Sequence, residues 1–182
     1  MRQLLDIKNK GKSVRGLRLL PFYLFTFLLL STFSCSTIDC PVQNVVGTIY
    51  VVKLDGGVDA VLPDTLTVLS WRKDRTDTLL LNHESALTSF RLPMGYVNPE
   101  DSLVFIVTSP TYTLKDTLYI KKENQPHFES VDCNIAYFHQ ITGIRLSSHN
   151  AIDSISIVKS AVNYDLSSEH FHIYFKTATK RE

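Results

Sequence analysis

Two histidines set two residues apart, His170 and His172, are the pair in this sequence best spaced for chemistry. In an extended segment, residues i and i+2 share one face. With His139 or Glu169 as a third ligand, they would make a metal site able to activate water. The plainer reading, two strand histidines on a solvated face, carries more weight, so no metal or cofactor is expected. His149 stands near Asp153 and Ser154, the residue types of a hydrolase triad. There is no G-x-S-x-G around any serine, and three such residues within one segment rarely reach triad geometry. Asp55-Gly56-Gly57-Val58-Asp59 could suggest a calcium loop, but it lacks the carboxylate spacing and terminal glutamate of an EF-hand. A hairpin turn explains it better. No catalytic set emerges, and the chain is not expected to be an enzyme. An alternative use of the side chains is ligand stacking. Trp71, Tyr96 and Tyr112 are the candidate rings for a glycan-binding platform.

The three cysteines are Cys35, Cys40 and Cys133. An exported chain with an odd count leaves one thiol unexplained. Arg15 and Arg18 precede the apolar run Leu19 to Phe33, which is shorter than the ~20 residues a spanning helix needs. A charged start, a short apolar core, then small residues and a cysteine is the order of an export signal. Ser31-Thr32-Phe33-Ser34-Cys35 resembles a bacterial lipobox, although Thr32 stands where an aliphatic residue is usual. That resemblance implies a diacylglyceryl group on the Cys35 thiol and a cut just before it. The alternatives are an uncut signal anchor and a cut leader with Cys35 as a bystander. If Cys35 carries lipid, Cys40 and Cys133 are left as one candidate disulfide in an oxidising compartment, or as two unpaired thiols.

Charge divides at the same place. Residues 1–34 hold six basic residues and Asp6 alone, leaving 13 basic against 17 acidic in 35–182. The mature part is mildly acidic, which disfavours nucleic acid as a partner. The expected organisation is a signal peptide over 1–34, a lipidated tether over 35–43, a β domain over 44–175 and a polar tail over 176–182.

The elements that must position these residues read as short strands between turn signals. They fall at Val45 to Leu54, Thr65 to Trp71, Thr78 to Leu81, Ala86 to Leu92 and Ser102 to Thr108. Further candidates are Tyr112 to Lys121, Phe128 to Phe138, Gly143 to Leu146, Asp153 to Ser160 and Phe171 to Phe175. Helical spacing never persists for three turns. Many short strands imply an all-β, two-layer sandwich, immunoglobulin-like or transthyretin-like. In Tyr112 to Lys121 the alternation is imperfect, because Asp116 falls on the apolar side.

Asp-Ser/Thr-Leu/Ile recurs five times, at Asp64-Thr65-Leu66, Asp77-Thr78-Leu79, Asp101-Ser102-Leu103, Asp116-Thr117-Leu118 and Asp153-Ser154-Ile155. The local explanation is an aspartate ending a turn, a hydroxyl residue entering a strand and an aliphatic residue turning inward. The pattern also resembles the O-glycosylation acceptor of exported Bacteroidetes proteins. By that resemblance Thr65, Thr78, Ser102, Thr117 and Ser154 are candidate acceptors. Cys35, Cys40-Pro41, Asp116-Thr117-Leu118-Tyr119-Ile120 and the stretch Pro126 to Cys133 together resemble small, uncharacterised Bacteroidetes lipoproteins. The resemblance implies an envelope address, a Cys40–Cys133 pairing and an all-β fold, and transfers no activity. The expected role is a lipid-anchored, structural or protein-binding accessory of the cell envelope, at the outer membrane. Its partners would be the membrane, through the anchor, and another envelope protein.

Overall fold

The computed structural model describes residues 40, 45–54, 56–71 and 77–176. Ten strands form among them: β1 (Gly47–Lys53), β2 (Thr65–Ser70), β3 (Thr78–Glu84), β4 (Ser89–Pro93), β5 (Glu100–Thr108), β6 (Thr113–His127), β7 (Ala136–Leu146), β8 (Ile152–Ile157), β9 (Ala161–Val162) and β10 (Phe171–Phe175). They make a four-stranded sheet in the order β4-β1-β10-β8 and a six-stranded sheet in the order β3-β2-β5-β6-β7-β9. All pairings between strands are antiparallel except β1 with β10, which is parallel. The two sheets pack face to face as a β-sandwich, the all-β architecture expected from the strand pattern.

Alternation explains most of this. On β1, Tyr50 and Val52 point inward, and on β2 Leu66 and Val68 do the same. On β10 the inward row is Phe171, Ile173 and Phe175. Tyr50 lies between Phe90 and Phe171, stacked at centroid distances of 4.9 and 4.8 Å, with Phe105 from the other sheet edge-on at 6.1 Å. This aromatic group joins three adjacent strands of one sheet to the centre of the other. Burial of four such rings supplies a large share of the sandwich's apolar area.

Several boundaries differ from those expected. Phe128 to Phe138 is not one strand: residues 128–135 form a loop, and β7 starts at Ala136. The expected strand at Gly143 to Leu146 is the far end of that same β7. β6 runs on past Lys121 to His127, through the polar stretch Lys-Lys-Glu-Asn-Gln-Pro-His. That stretch is a strand because it pairs with β7, from Lys122↔Ile141 to His127↔Ala136, with a bulge on the β7 side at Thr142. The expected Ala86 to Leu92 strand begins only at Ser89, after a positive φ of 54° at Ala86. Asp153 to Ser160 ends at Ile157. The Asp-Gly-Gly turn is present in its glycines: Gly56 and Gly57 have φ of 89° and 81°, where a Cβ would be strained. Asp55, the basic cluster Arg72 to Arg75, Cys35 with the leader, most of the tether and residues 177–182 lie outside the described residues.

The inner row of β6 contains two charges among its aliphatic residues. Asp116, Leu118, Ile120 and Lys122 are all buried. Each charge is met by specific partners. Asp116 Oδ1 accepts from the Asn150 N–H (2.9 Å) and the Ser148 hydroxyl (2.6 Å). Its Oδ2 accepts from the N–H groups of Ala151 (2.7 Å) and Ile152 (2.8 Å). The carboxylate thereby fixes the chain where it crosses from β7 in one sheet to β8 in the other. Lys122 forms an ion pair with Asp101 at 2.6 Å, its side chain fully removed from solvent.

Candidate functional site

The buried Lys122–Asp101 pair lies beneath a groove at one end of the sandwich. The groove is a cavity of about 360 Å³ bounded by the ends of β2, β3 and β5 and by the β4–β5 connection; Trp71, Thr78, Tyr96, Glu100, Asp101 and Ser102 are among its walls. Asp101 Oδ2 accepts the Gly95 N–H at 3.1 Å. Asn124, on the inner side of β6, donates through Nδ2 to the carbonyls of Tyr96 (2.9 Å) and Asn98 (3.1 Å). Its Oδ1 faces His139 Nδ1 at 2.8 Å, and because the amide nitrogen is already donating, the imidazole N–H is the donor here. Burial, and then the Lys122 charge, push the His139 pKa down to about 4, so the ring is neutral at pH 7. The 94–99 connection is therefore tied down by residues of β5, β6 and β7, and Tyr96 is further stacked on Tyr137 with centroids 4.7 Å apart.

The resulting surface is a preformed mixed wall. Trp71 and Tyr96 remain 44% and 49% exposed, which leaves ring area free to meet a ligand. The carboxylates of Glu100 and Asp101 and the hydroxyls of Thr78 and Ser102 line the same groove. Aromatic faces with polar acceptors suit binding. Tyr112 does not join this platform. It borders a second cavity, about 490 Å³, at the opposite end beside Leu54, Val61 and Phe175, where its hydroxyl donates to Asp64 Oδ2 at 2.8 Å.

The residues suggested for metal chemistry are committed elsewhere. His170 is buried and its Nδ1 accepts the Ile49 N–H at 3.1 Å, which occupies the lone pair a metal would need. Burial, with the Lys159 charge second, lowers its pKa. His172 pairs through Nε2 with Glu169 at 2.8 Å, and His139 is on the other sheet. Among the described residues no three His, Cys, Asp or Glu side chains gather as a metal would require. His149 meets the backbone carbonyl of Asp153, not its carboxylate. Asp59 of the supposed calcium loop forms an ion pair with Lys53.

The five tripeptides separate into two groups. The Thr65 hydroxyl donates to the Thr108 carbonyl at 3.0 Å, and Ser102 and Thr117 are half-buried on the interior strands β5 and β6. Asp64, Asp101 and Asp116 of those three copies all hold structural partners. Thr78 and Ser154 are exposed on β3 and β8, each an outer strand of its sheet. Lys122, Asn124 and Glu100 carry no motif in the sequence, and Asp101 is marked there only by its tripeptide. The available signal was a polar run inside an otherwise strand-like stretch.

Cys40 and Cys133 are joined by a disulfide, with Cα atoms 5.5 Å apart. Fold and site together define a disulfide-tied β-sandwich with a groove at one end. The chain belongs to a family of unknown function, DUF6452, whose match spans residues 65–175. No curated protein and no solved structure matches it.

Proposed function

We propose that this chain is an exported lipoprotein, cut before Cys35 and acylated there, whose sandwich serves as a non-enzymatic binding accessory of the cell envelope. The observation that carries this reading is the Cys40–Cys133 bond. It uses two of the three cysteines, so Cys35 has no cysteine of its own chain left to pair with. A structural disulfide also fits an oxidising compartment. The leader's charge, its short apolar run and the lipobox-like Ser34-Cys35 add independent support, and the Bacteroidetes resemblance suggests the outer membrane. Fractionation of the native host tests the address. Wild-type chain is expected with the membranes, and Cys35→Ser is expected to leave them or to accumulate with its leader uncut. Unchanged membrane association of a processed Cys35→Ser chain would overturn the anchor.

A second reading concerns what the accessory binds. Two exposed rings in a groove that Glu100 also lines favour a glycan, since sugar C–H faces stack on aromatic rings while hydroxyls donate to a carboxylate. Trp71→Ala and Tyr96→Ala should each abolish retention on an immobilised envelope polysaccharide, while Tyr112→Phe should leave it intact. Equal retention of all three variants would remove this reading.

A further inference from the structure

The loop that bears Cys133 also bears the most exposed large apolar side chain of the described residues. Val131 is 86% exposed, and Phe128 and Ile135 on the same loop are 61% and 52% exposed. The local fold explains why Val131 projects. The Cys133 N–H donates to the Ser130 carbonyl at 3.2 Å, closing a turn with Val131 and Asp132 at its tip. Three large apolar side chains within eight residues of a loop is costly exposure unless something covers them.

Exposure alone does not choose a face. The opposite end also presents Leu54, Val58 and Val61 at 45%, 63% and 55%. The disulfide breaks the tie. Cys40 is bonded to Cys133, two residues from Val131. Cys35 stands five residues before Cys40, and five residues reach at most about 18 Å. A lipid on Cys35 therefore holds this loop, and not the opposite end, within reach of the bilayer. The next residues along agree: Val45 bridges to Tyr137 at the start of β7, so the incoming chain stays on this end of the sandwich.

We infer that the Phe128, Val131 and Ile135 loop is a second membrane contact, which seats the sandwich end-on against a lipid surface beside the acylated cysteine. The inference rests on the anchor reading above. The occupant is lipid, because the bilayer is the apolar surface that a five-residue tether delivers to this loop. Asp132 shares the turn tip with Val131 and Glu129 stands two residues before Val131, so insertion is shallow and a neutral headgroup is favoured over an anionic one. His127 Nε2 lies 2.9 Å from Glu129 Oε1, which holds one of these carboxylates back along the loop. The groove with Trp71 and Tyr96 is at this same end, since Val45 is also in its wall. Its ligand would then be met close to the membrane.

The test uses the full lipidated chain, purified from membranes and reconstituted in phosphatidylcholine vesicles whose acyl chains carry bromine, a contact quencher of tryptophan. Trp71→Phe removes the native emitter. Into that background goes either Phe128→Trp or, at the far end, Val58→Trp. The expected result is a strong loss of emission, with a blue shift, for Phe128→Trp and no loss for Val58→Trp. Equal quenching at both positions, or none at position 128 in a chain that sediments with the vesicles, overturns the end-on seating alone. A chain that lacks the acyl mass and does not sediment overturns the anchor, and the seating with it. Replacing a fraction of the lipid by brominated phosphatidylglycerol should weaken the quenching at position 128; stronger quenching there would contradict the shallow, neutral contact.

Discussion

Asp116 Oδ2 accepts the backbone N–H of Ile152 at 2.8 Å, across 36 residues of chain. The contact links the first part of β6 in one sheet to the first residue of β8 in the other. With three further donors, from Ser148, Asn150 and Ala151, it makes a single carboxylate the joint of the crossover.

Asp116→Ala should therefore be among the most damaging single changes in the domain. It leaves buried N–H groups without acceptors, at a cost on the order of 3–5 kcal/mol. Asp116→Asn should cost less, because the amide oxygen retains part of the acceptor set. Urea unfolding of the two variants measures the difference. A loss below about 1 kcal/mol for Asp116→Ala would show that the crossover is held by packing instead.

Two buried histidines give the fold an acid limit. His139 is lowered to about 4 and His170 is lowered as well, in both cases mainly by burial. Their folded pKa values lie below the unfolded value of about 6.5. Their contribution to stability is complete above that value and is lost as pH falls through the folded pKa. For His139 stability should fall from about pH 6.5 towards pH 4, by at most about 1.4 kcal/mol per pH unit, and His170 adds to the loss below about pH 6.5. His170 would also lose its bond from the Ile49 N–H on protonation. Asp116 does not share this window: burial raises its pKa, but its hydrogen bonds outweigh that and hold it below the ordinary carboxylate value. Urea midpoints between pH 7 and pH 4 check the slope, and His139→Gln should flatten it.

The Lys122–Asp101 pair should behave as a unit. Asp101→Ala strands a buried ammonium and should cost about 3–5 kcal/mol. The double change Asp101→Asn with Lys122→Met should be much milder, because no uncompensated charge remains. A double-mutant cycle by chemical denaturation gives the coupling, and additive losses would mean that the two groups are screened from each other.

Much of this was legible in sequence, and the failures have physical causes. The alternating runs at Thr65 to Trp71 and Phe171 to Phe175 fall on their strands, the first ending one residue early at Ser70, because one face of each is core and the other is not. Asp116 was visible as a misfit on the apolar side, but its donors lie at least 32 residues downstream and no local pattern announces them. The polar run after Lys121 hid the second half of β6, since Lys122 and Asn124 face inward onto Asp101 and His139. Phe128, Val131 and Ile135 misled in the other direction: strand-forming residue types stand there in an exposed loop. The parallel pairing of β1 with β10 has no sequence signature, because the two strands are more than 100 residues apart and each alternates as it would in any pairing.

Reduction of the Cys40–Cys133 bond should lower stability by about 4–5 kcal/mol, the chain-entropy value for a loop of this length. Urea midpoints with and without reductant measure it. A shift near zero would mean that Cys40 is a peripheral clasp, and that residues 45–176 hold their fold unaided.

Glycosylation, if the tripeptides are used, should be confined to Thr78 and Ser154, whose residues are exposed on outer strands. Peptide mapping of protein from the native host should place any glycan mass there and none on Thr65, whose hydroxyl is already donating to Thr108. A glycan on Thr117 or Ser102 would require attachment before folding.

The central claim is the processed and acylated Cys35. The N-terminal peptide of the protein isolated from native membranes measures it by mass spectrometry. The expected product begins at Cys35 and carries a diacylglyceryl thioether, with Cys40 still bonded to Cys133. A chain that retains residues 1–34, or one that begins elsewhere with Cys35 unmodified, would contradict it.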